Sequence, residues 1–267
     1  MRAGYFDPLE DQPCAAIPPE AVGSGASHEL AKESALQGMV LLRNEAVGGA
    51  GGAKALPLRK GKLTAVLGPL ANATLALASR YYDAVCPGLM NASLPFGHGE
   101  RASGCIRSPL AQLAARGHII HEPGIPCADD HPANHCVGNN STASFAAAIK
   151  AAQQADQIVF FVGLDHTQET EGTDRQQLSL PGAQQPLLVA VRKAAPPGKP
   201  ITVVLLNGGA VSMDSLAPPA SDPVADALVE AFFPVRTIGS ISFNLPQLQY
   251  CLSLIEHAKK SALPGNQ

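Results

Sequence analysis

Residues 157–163 read Gln-Ile-Val-Phe-Phe-Val-Gly, a run that is apolar almost throughout and shows no alternation of polar positions. It is short for a buried helix and rich in β-branched and aromatic side chains, so it predicts a strand covered on both faces. An Ala-rich helix is expected before it over Ser144–Ala155. After it, Pro181 opens a second helix through Ala194, because proline suits the first helical position. Further apolar runs at Leu63–Leu67, Ile201–Leu206 and Ala227–Phe233 predict more buried strands. Pro109–Arg116 reads as a helix closed by Gly117, and His118–His121 as a short strand. Leu30, Ala31, Ser34, Ala35, Gly38, Leu41 and Leu42 recur at helical spacing, predicting an amphipathic helix over His28–Asn44. Buried strands alternating with helices predict an α/β fold, a mostly parallel sheet with helices on both faces. In such sheets ligands bind beyond the carboxyl ends of the strands, which selects the loops after Leu67, Gly163 and Leu206.

The flanks differ from this pattern. Residues 1–26 are Pro-, Gly- and Ala-rich without periodicity and read as an interdomain linker remnant, leaving 27–234 as the sandwich domain. Residues 235–267 contain no strong strand and are expected to be a divergent, irregular tail. The start, Met-Arg-Ala-Gly-Tyr-Phe-Asp-Pro, has no apolar core of a signal peptide. Nineteen Lys and Arg against 22 Asp and Glu leave a net charge of −3. That balance argues against a nucleic-acid partner or an anionic membrane surface, either of which needs a basic face. No stretch reaches the roughly 20 apolar residues of a membrane span.

The densest set of ionisable groups follows the 157–163 strand: Asp165, His166, Glu169, Glu171, Asp174 and Arg175. A carboxyl group at the mouth of a buried strand is partly desolvated, which favours the protonated form a general acid needs. The neighbouring Asp174-Arg175 pair suits either loop bracing or contact with sugar hydroxyls. A solvated charged loop is the plain alternative.

A second set comprises His118, His121, Cys127, Asp129, Asp130, His131, His135 and Cys136. It has enough ligands for zinc but matches no standard zinc module, and a Cys127–Cys136 disulfide is equally economical. Cys14, Cys86, Cys105 and Cys251 are widely spread; Cys86 and Cys105 lack a neighbouring base, so structural or paired roles are expected for those two. Asn207-Gly208-Gly209 follows a strand, as a phosphate-approaching turn would, but no full phosphate-binding motif surrounds it. Sequons at Asn72, Asn91, Asn139 and Asn140 suggest glycosylation and, together with the cysteines, a secreted parent protein.

Five segments in order resemble the C-terminal α/β-sandwich domain of glycoside hydrolase family 3, in its β-xylosidase/α-L-arabinofuranosidase branch. They are Gly4–Pro8 (GYFDP), Glu29–Glu45 with Ala55–Leu58 (ALPL), Ala65–Thr74 (AVLGPLANAT), Val162–Leu188 and Val203–Asp214 (VVLLNGGAVSMD). The fourth, VGLDHTQETEGTDRQQLSLPGAQQPLL, is the most specific. The resemblance implies retaining hydrolysis of terminal β-xylosyl or α-arabinofuranosyl residues, with no cofactor and no metal. It implies Glu171 as the acid/base, with Glu169 as the alternative, and Asp174 and Arg175 as loop-bracing or sugar-contacting residues; Tyr82, an aromatic platform, is the further substrate-binding candidate. An Asp nucleophile would come from a (β/α)8 barrel, which needs on the order of 200 residues or more. That barrel is expected to be a partner missing from this chain, leaving the chain inactive alone. The resemblance also implies an extracellular or cell-wall location for the full-length parent. A non-catalytic carbohydrate-binding or interaction module, with Tyr81 and Tyr82 as sugar platforms, and a metal-binding α/β protein are the alternatives.

Overall fold

The computed structural model describes residues 8, 11, 24–48, 52–74, 77, 108–126, 137–165, 167–169, 172–212, 216 and 223–232. Among these, the elements in chain order are α1 (Gly25–Gly38), β1 (Val40–Asn44), β2 (Thr64–Leu67), α2 (Pro109–Ala114) and β3 (Ile119–Glu122). They continue with α3 (Phe145–Gln154), β4 (Gln157–Gly163), α4 (Gln184–Ala194), β5 (Ile201–Leu206) and β6 (Ala227–Glu230). The described strands form one sheet in the order β1-β6-β5-β4-β2-β3. Every pairing is parallel except β1 with β6, so the expected α/β sandwich stands, with one antiparallel edge.

Each central strand is buried along its whole length, as runs without polar alternation require. Successive side chains leave opposite faces and feed two separate cores. On one face Phe160, Val162, Val203 and Leu205 pack with Leu187, Leu188 and Val191 of α4 and with Ala148, Ala151 and Ala152 of α3. On the other, Val66, Phe161, Val204 and Val229 pack with Leu36, Met39, Leu56 and Leu113. Lys199 closes the carboxyl end of α3, donating from Nζ to the carbonyls of Ala152 at 2.9 Å and Gln153 at 2.7 Å. Those carbonyls lack intrahelical partners, and a cation there also meets the negative end of the helix dipole.

Three expected elements change. The helix read over His28–Asn44 is broken: α1 ends at Gly38, and Val40–Asn44 is strand β1. Local periodicity could not show this, because β1 pairs with a segment far away in sequence, Val40 opposite Glu230 and Asn44 opposite Ala227. The helix expected from Pro181 begins instead at Gln184. The Gln184 side chain is needed at its start: it is fully buried, accepts from the Gly163 amide at 2.8 Å, and shares its Nε2 hydrogens among the carbonyls of Gly163, Pro181 and Val137. The strand expected to reach Phe233 stops at Glu230, and Phe232 follows with a φ of 53°, which no strand residue adopts. The linker and tail, apart from Pro8, Asp11, Ser24 and the start of α1, lie outside the described residues.

Candidate functional site at the carboxyl ends of the strands

Parallel strands bring their carboxyl ends to one edge of the sheet. At that edge Leu164-Asp165 follows β4, Asn207-Gly208-Gly209 follows β5, and Glu230 ends β6. The backbones of β4 and β5 converge there. Gly163 lies opposite Leu206, and a Cβ on Gly163 would stand 1.9 Å from the Leu206 carbonyl oxygen.

The loop leaving β4 is tied down at both sides of its centre. Asp165 is buried, and its Oδ1 accepts from the Thr167 amide at 2.9 Å and the Thr167 hydroxyl at 2.5 Å, forming an Asx turn. On the far side Arg175 is the hub. Its Nε donates to Glu169 Oε2 at 3.1 Å, Nη1 donates to the Ser179 carbonyl at 3.1 Å, and Nη2 donates to the Ala210 carbonyl. The three bonds clasp the β4 loop to the β5 loop through one planar guanidinium, whose fixed fork suits this use. The Glu169 carboxylate sits over Gly209: a Cβ there would meet both carboxylate oxygens at 2.5 Å. Glycine therefore opens the seat that Glu169 occupies. Asn207 is buried as well and donates from Nδ2 to the Gly209 carbonyl at 2.9 Å, bracing the turn.

Of the residues singled out from sequence, the structure brings Asp165, Glu169 and Arg175 together, with Asp174 exposed on the same loop. Arg175 braces the loop through the three bonds described above. Glu169 has one carboxylate oxygen engaged by Arg175, although its side chain keeps 42% of its exposure. Glu171, His166 and Tyr82 lie outside the described residues, as do all six cysteines and the 127–136 segment, so neither the zinc nor the disulfide reading of that segment falls on described residues. His121 belongs to β3, where its Nδ1 lies 2.8 Å from the Val66 carbonyl oxygen, and His118 is exposed. Among the described residues no three His, Cys, Asp or Glu side chains converge as metal ligands. Among the same residues no helix is long and apolar enough to cross a membrane.

Sequence reasoning missed Glu230. It is only 9% exposed, sits opposite Leu205 of β5, and accepts from the Phe232 amide at 3.3 Å. Burial pushes its carboxyl above the usual glutamate value of 4.5, opposed in part by the Phe232 amide and the Asn207 side chain. Nothing local marked it, since it stands inside an apolar run that predicts only a strand. A raised carboxyl value contributes stability that is fully present below about pH 4.5 and is lost as pH rises through the folded-state value. Glu230→Gln is therefore expected to raise Tm at about pH 8 and to lose the advantage near pH 4. Thermal melts at the two pH values check this, and an equal Tm difference at both would remove Glu230 as the titrating group.

The arrangement is a carboxylate-rich loop held rigidly over a strand mouth. The family model described as the glycosyl hydrolase family 3 C-terminal domain matches residues 39–242. A probable exo-1,4-beta-xylosidase of Aspergillus fumigatus is 34% identical over 245 residues, covering 92% of this chain and 26% of that protein. The exo-1,4-beta-xylosidase of Emericella nidulans is 30% identical over 247 residues, covering 92% of this chain and 27% of that protein. Among solved structures, an exo-beta-xylosidase of the same family in complex with a xylobiose aziridine probe superposes with a TM-score of 0.64 at 28% identity, over 96% of this chain and 27% of that one. A beta-glucosidase of the family from Bifidobacterium adolescentis gives a TM-score of 0.58 at 26% identity, over 88% of this chain and 28% of that one. The chain thus spans about a quarter of the length of the curated relatives it matches. A strand order with one antiparallel edge, a clasped acidic loop beyond β4 and a family match over most of the chain converge: this chain belongs to glycosyl hydrolase family 3, within that family's C-terminal domain.

Proposed function

We propose that this chain supplies the acid/base carboxyl group of a retaining exo-glycosidase acting on terminal β-xylosyl or α-arabinofuranosyl residues, and that Glu171 carries it. The observation that carries the proposal is the clasp of Arg175 on Glu169, Ser179 and Ala210, which holds the loop's neighbours at the strand mouth. With one oxygen committed to Arg175, Glu169 suits positioning better than proton donation, and Glu171, two residues on, is the better donor. Retention needs two carboxyl groups about 5–5.5 Å apart, one attacking the anomeric carbon and the other protonating the leaving oxygen. The donor then turns base and takes a proton from the incoming water. The nucleophile is assigned to a barrel domain, as its partner carboxylate. The xylose preference rests on relatives named exo-1,4-beta-xylosidases, and carbohydrate is the expected substrate class.

The test replaces the matching quarter of the Aspergillus fumigatus relative with this chain and assays an aryl β-xyloside. The 267-residue chain alone is expected to show negligible turnover, and the chimera to recover it. Robust hydrolysis by the isolated chain, abolished by Glu171→Gln, would overturn the division of the site between two domains. A chimera that folds and binds xylobiose without turning it over would favour a binding module.

A secreted, glycosylated parent belongs to the same proposal. Of the described sequon residues, Asn140 is exposed, whereas Asn139 donates its Nδ2 to the Pro126 carbonyl at 2.7 Å. Asn72 is exposed, and its side-chain oxygen accepts from the Ser108 hydroxyl at 2.8 Å. Glycan is therefore proposed at Asn72 and Asn140 ahead of Asn139.

A further inference from the structure

The end of β6 carries a carboxyl group where an apolar side chain would cost the fold less. Glu230 is 9% exposed, and its register partners are Leu205 of β5 and Val40 of β1. A buried ionisable group in such a place lowers stability at neutral pH unless its neighbours compensate it. Among the described residues, the groups that face it carry no charge. β1 presents Val40, β5 presents Leu205 and Asn207, and the chain after β6 presents the Phe232 amide. Burial raises its titration, the Phe232 amide and the Asn207 side chain oppose that, and neither a cation nor a second carboxylate contributes.

Asn207 connects this carboxyl group to the candidate site. Its Nδ2 donates to the Gly209 carbonyl at 2.9 Å, and because a carbonyl only accepts, that bond fixes which way round the carboxamide sits. Asn207 Oδ1 is then buried and, among the described residues, meets no donor. Gly209 in turn seats the Glu169 carboxylate over its α-carbon, and the next residue, Ala210, gives its carbonyl to Arg175. A line of contacts thus runs from β6 across the β5 turn to the β4 loop: Glu230 to Asn207, Asn207 to Gly209, and the turn to Glu169 and Arg175. It spans two strand spacings, about 10 Å.

We infer that Glu230 is a positioning residue: its carboxylate holds the Asn207 carboxamide in the orientation that braces the Gly209 turn, and that turn seats Glu169. The inference deepens the glycosidase reading and rests on it for the catalytic purpose of the turn. An ionised carboxylate only accepts, so it matches the Nδ2 side of Asn207. A protonated carboxyl brings a hydrogen that needs an acceptor, and Asn207 Oδ1 is the unmet acceptor on the same carboxamide. Taking it up turns the carboxamide and withdraws Nδ2 from the Gly209 carbonyl. The turn then loses its brace, and the seat of Glu169 loosens with it. Bracing is therefore present above the pH at which Glu230 titrates and is lost below it. Global stability runs the other way, since burial favours the neutral acid.

Amide NMR spectra of the chain, followed from about pH 8 to about pH 4, test the relay without any substrate. The amides of Gly209 and Ala210 are expected to shift with a midpoint above 4.5, in step with the Glu230 carboxyl carbon. Glu230→Gln is expected to abolish that step. Asn207→Ala is expected to leave the Glu230 carboxyl titrating while the two amides no longer follow it. Should Asn207→Ala melt early, Asn207→Ser removes the carboxamide as well and carries the same expectation. In the chimera, Glu230→Met, which offers no oxygen acceptor, is expected to lower kcat for xylobiose about tenfold with KM unchanged. Glu230→Gln, which keeps an acceptor, is expected to restore most of that kcat and to remove the pH step from it. Amides that titrate identically in Glu230→Gln, or that still follow Glu230 in a folded Asn207 variant, would overturn the relay, as would a Glu230→Met chimera with full kcat. An inactive parent chimera beside an intact amide response would instead sink the glycosidase reading and leave the relay standing.

Discussion

In the chimera, Glu171→Ala should lower kcat for xylobiose by about 10²–10⁴-fold, the usual contribution of a positioned general acid–base group. An aryl xyloside with an acidic leaving group should lose far less in glycosylation, because such a group departs without a proton. Azide should then restore turnover and yield a β-xylosyl azide: a small anionic nucleophile needs no general base, and the glycosyl-enzyme reacts with it directly. Together, leaving-group dependence and anion rescue report a missing proton donor, a pattern that a merely destabilised loop would not produce. Glu169→Gln should behave differently. It removes the negative charge that pairs with Arg175 and leaves only a neutral acceptor, so it should loosen the clasp and lower activity towards good and poor leaving groups alike, without azide rescue. If azide instead rescues Glu169→Ala and Glu171→Ala is indifferent, the proton donor is Glu169.

The second large effect is structural. Gly163→Ala should destabilise the domain by more than about 4 kcal/mol, visible as a collapse of the denaturant midpoint. Two costs add. The residue sits at φ 145°, outside the regions open to alanine, and its new Cβ would stand 1.9 Å from the Leu206 carbonyl oxygen. Neither cost relaxes cheaply. The blocking atom is backbone of a central strand, and Gly163 itself is held on both its amide and its carbonyl by Gln184. Moving β4 away from β5 would also pull apart the mouth from which the acidic loop hangs. A variant that melts within about 1 kcal/mol of the parent would show that the two strand ends are looser than this geometry requires.

The elements most legible in sequence are those whose cause is local. Gln157–Gly163 and Ile201–Leu206 fall on β4 and β5 at the residues expected, because a strand buried on both faces can contain little but apolar side chains. The acidic loop was legible for the same reason. Once β4 is a parallel strand, whatever follows it must lie at the sheet's carboxyl edge. Val40–Asn44 was misread because its apolar residues satisfy a helical period as readily as a strand. Its true partner, β6, becomes its neighbour only in the folded chain.

Sequence by itself determined the α/β class, the central strands, the family resemblance and the loop that holds the candidate carboxylates. Those follow from hydrophobic periodicity and from motif order, which are properties of neighbours along the chain. Tertiary structure alone decided that Arg175 reaches the Ala210 carbonyl and that Glu230 is buried beside Asn207. Each of these joins segments tens of residues apart, and each depends on solvent exclusion and charge proximity, which exist only after the sheet has brought the segments together.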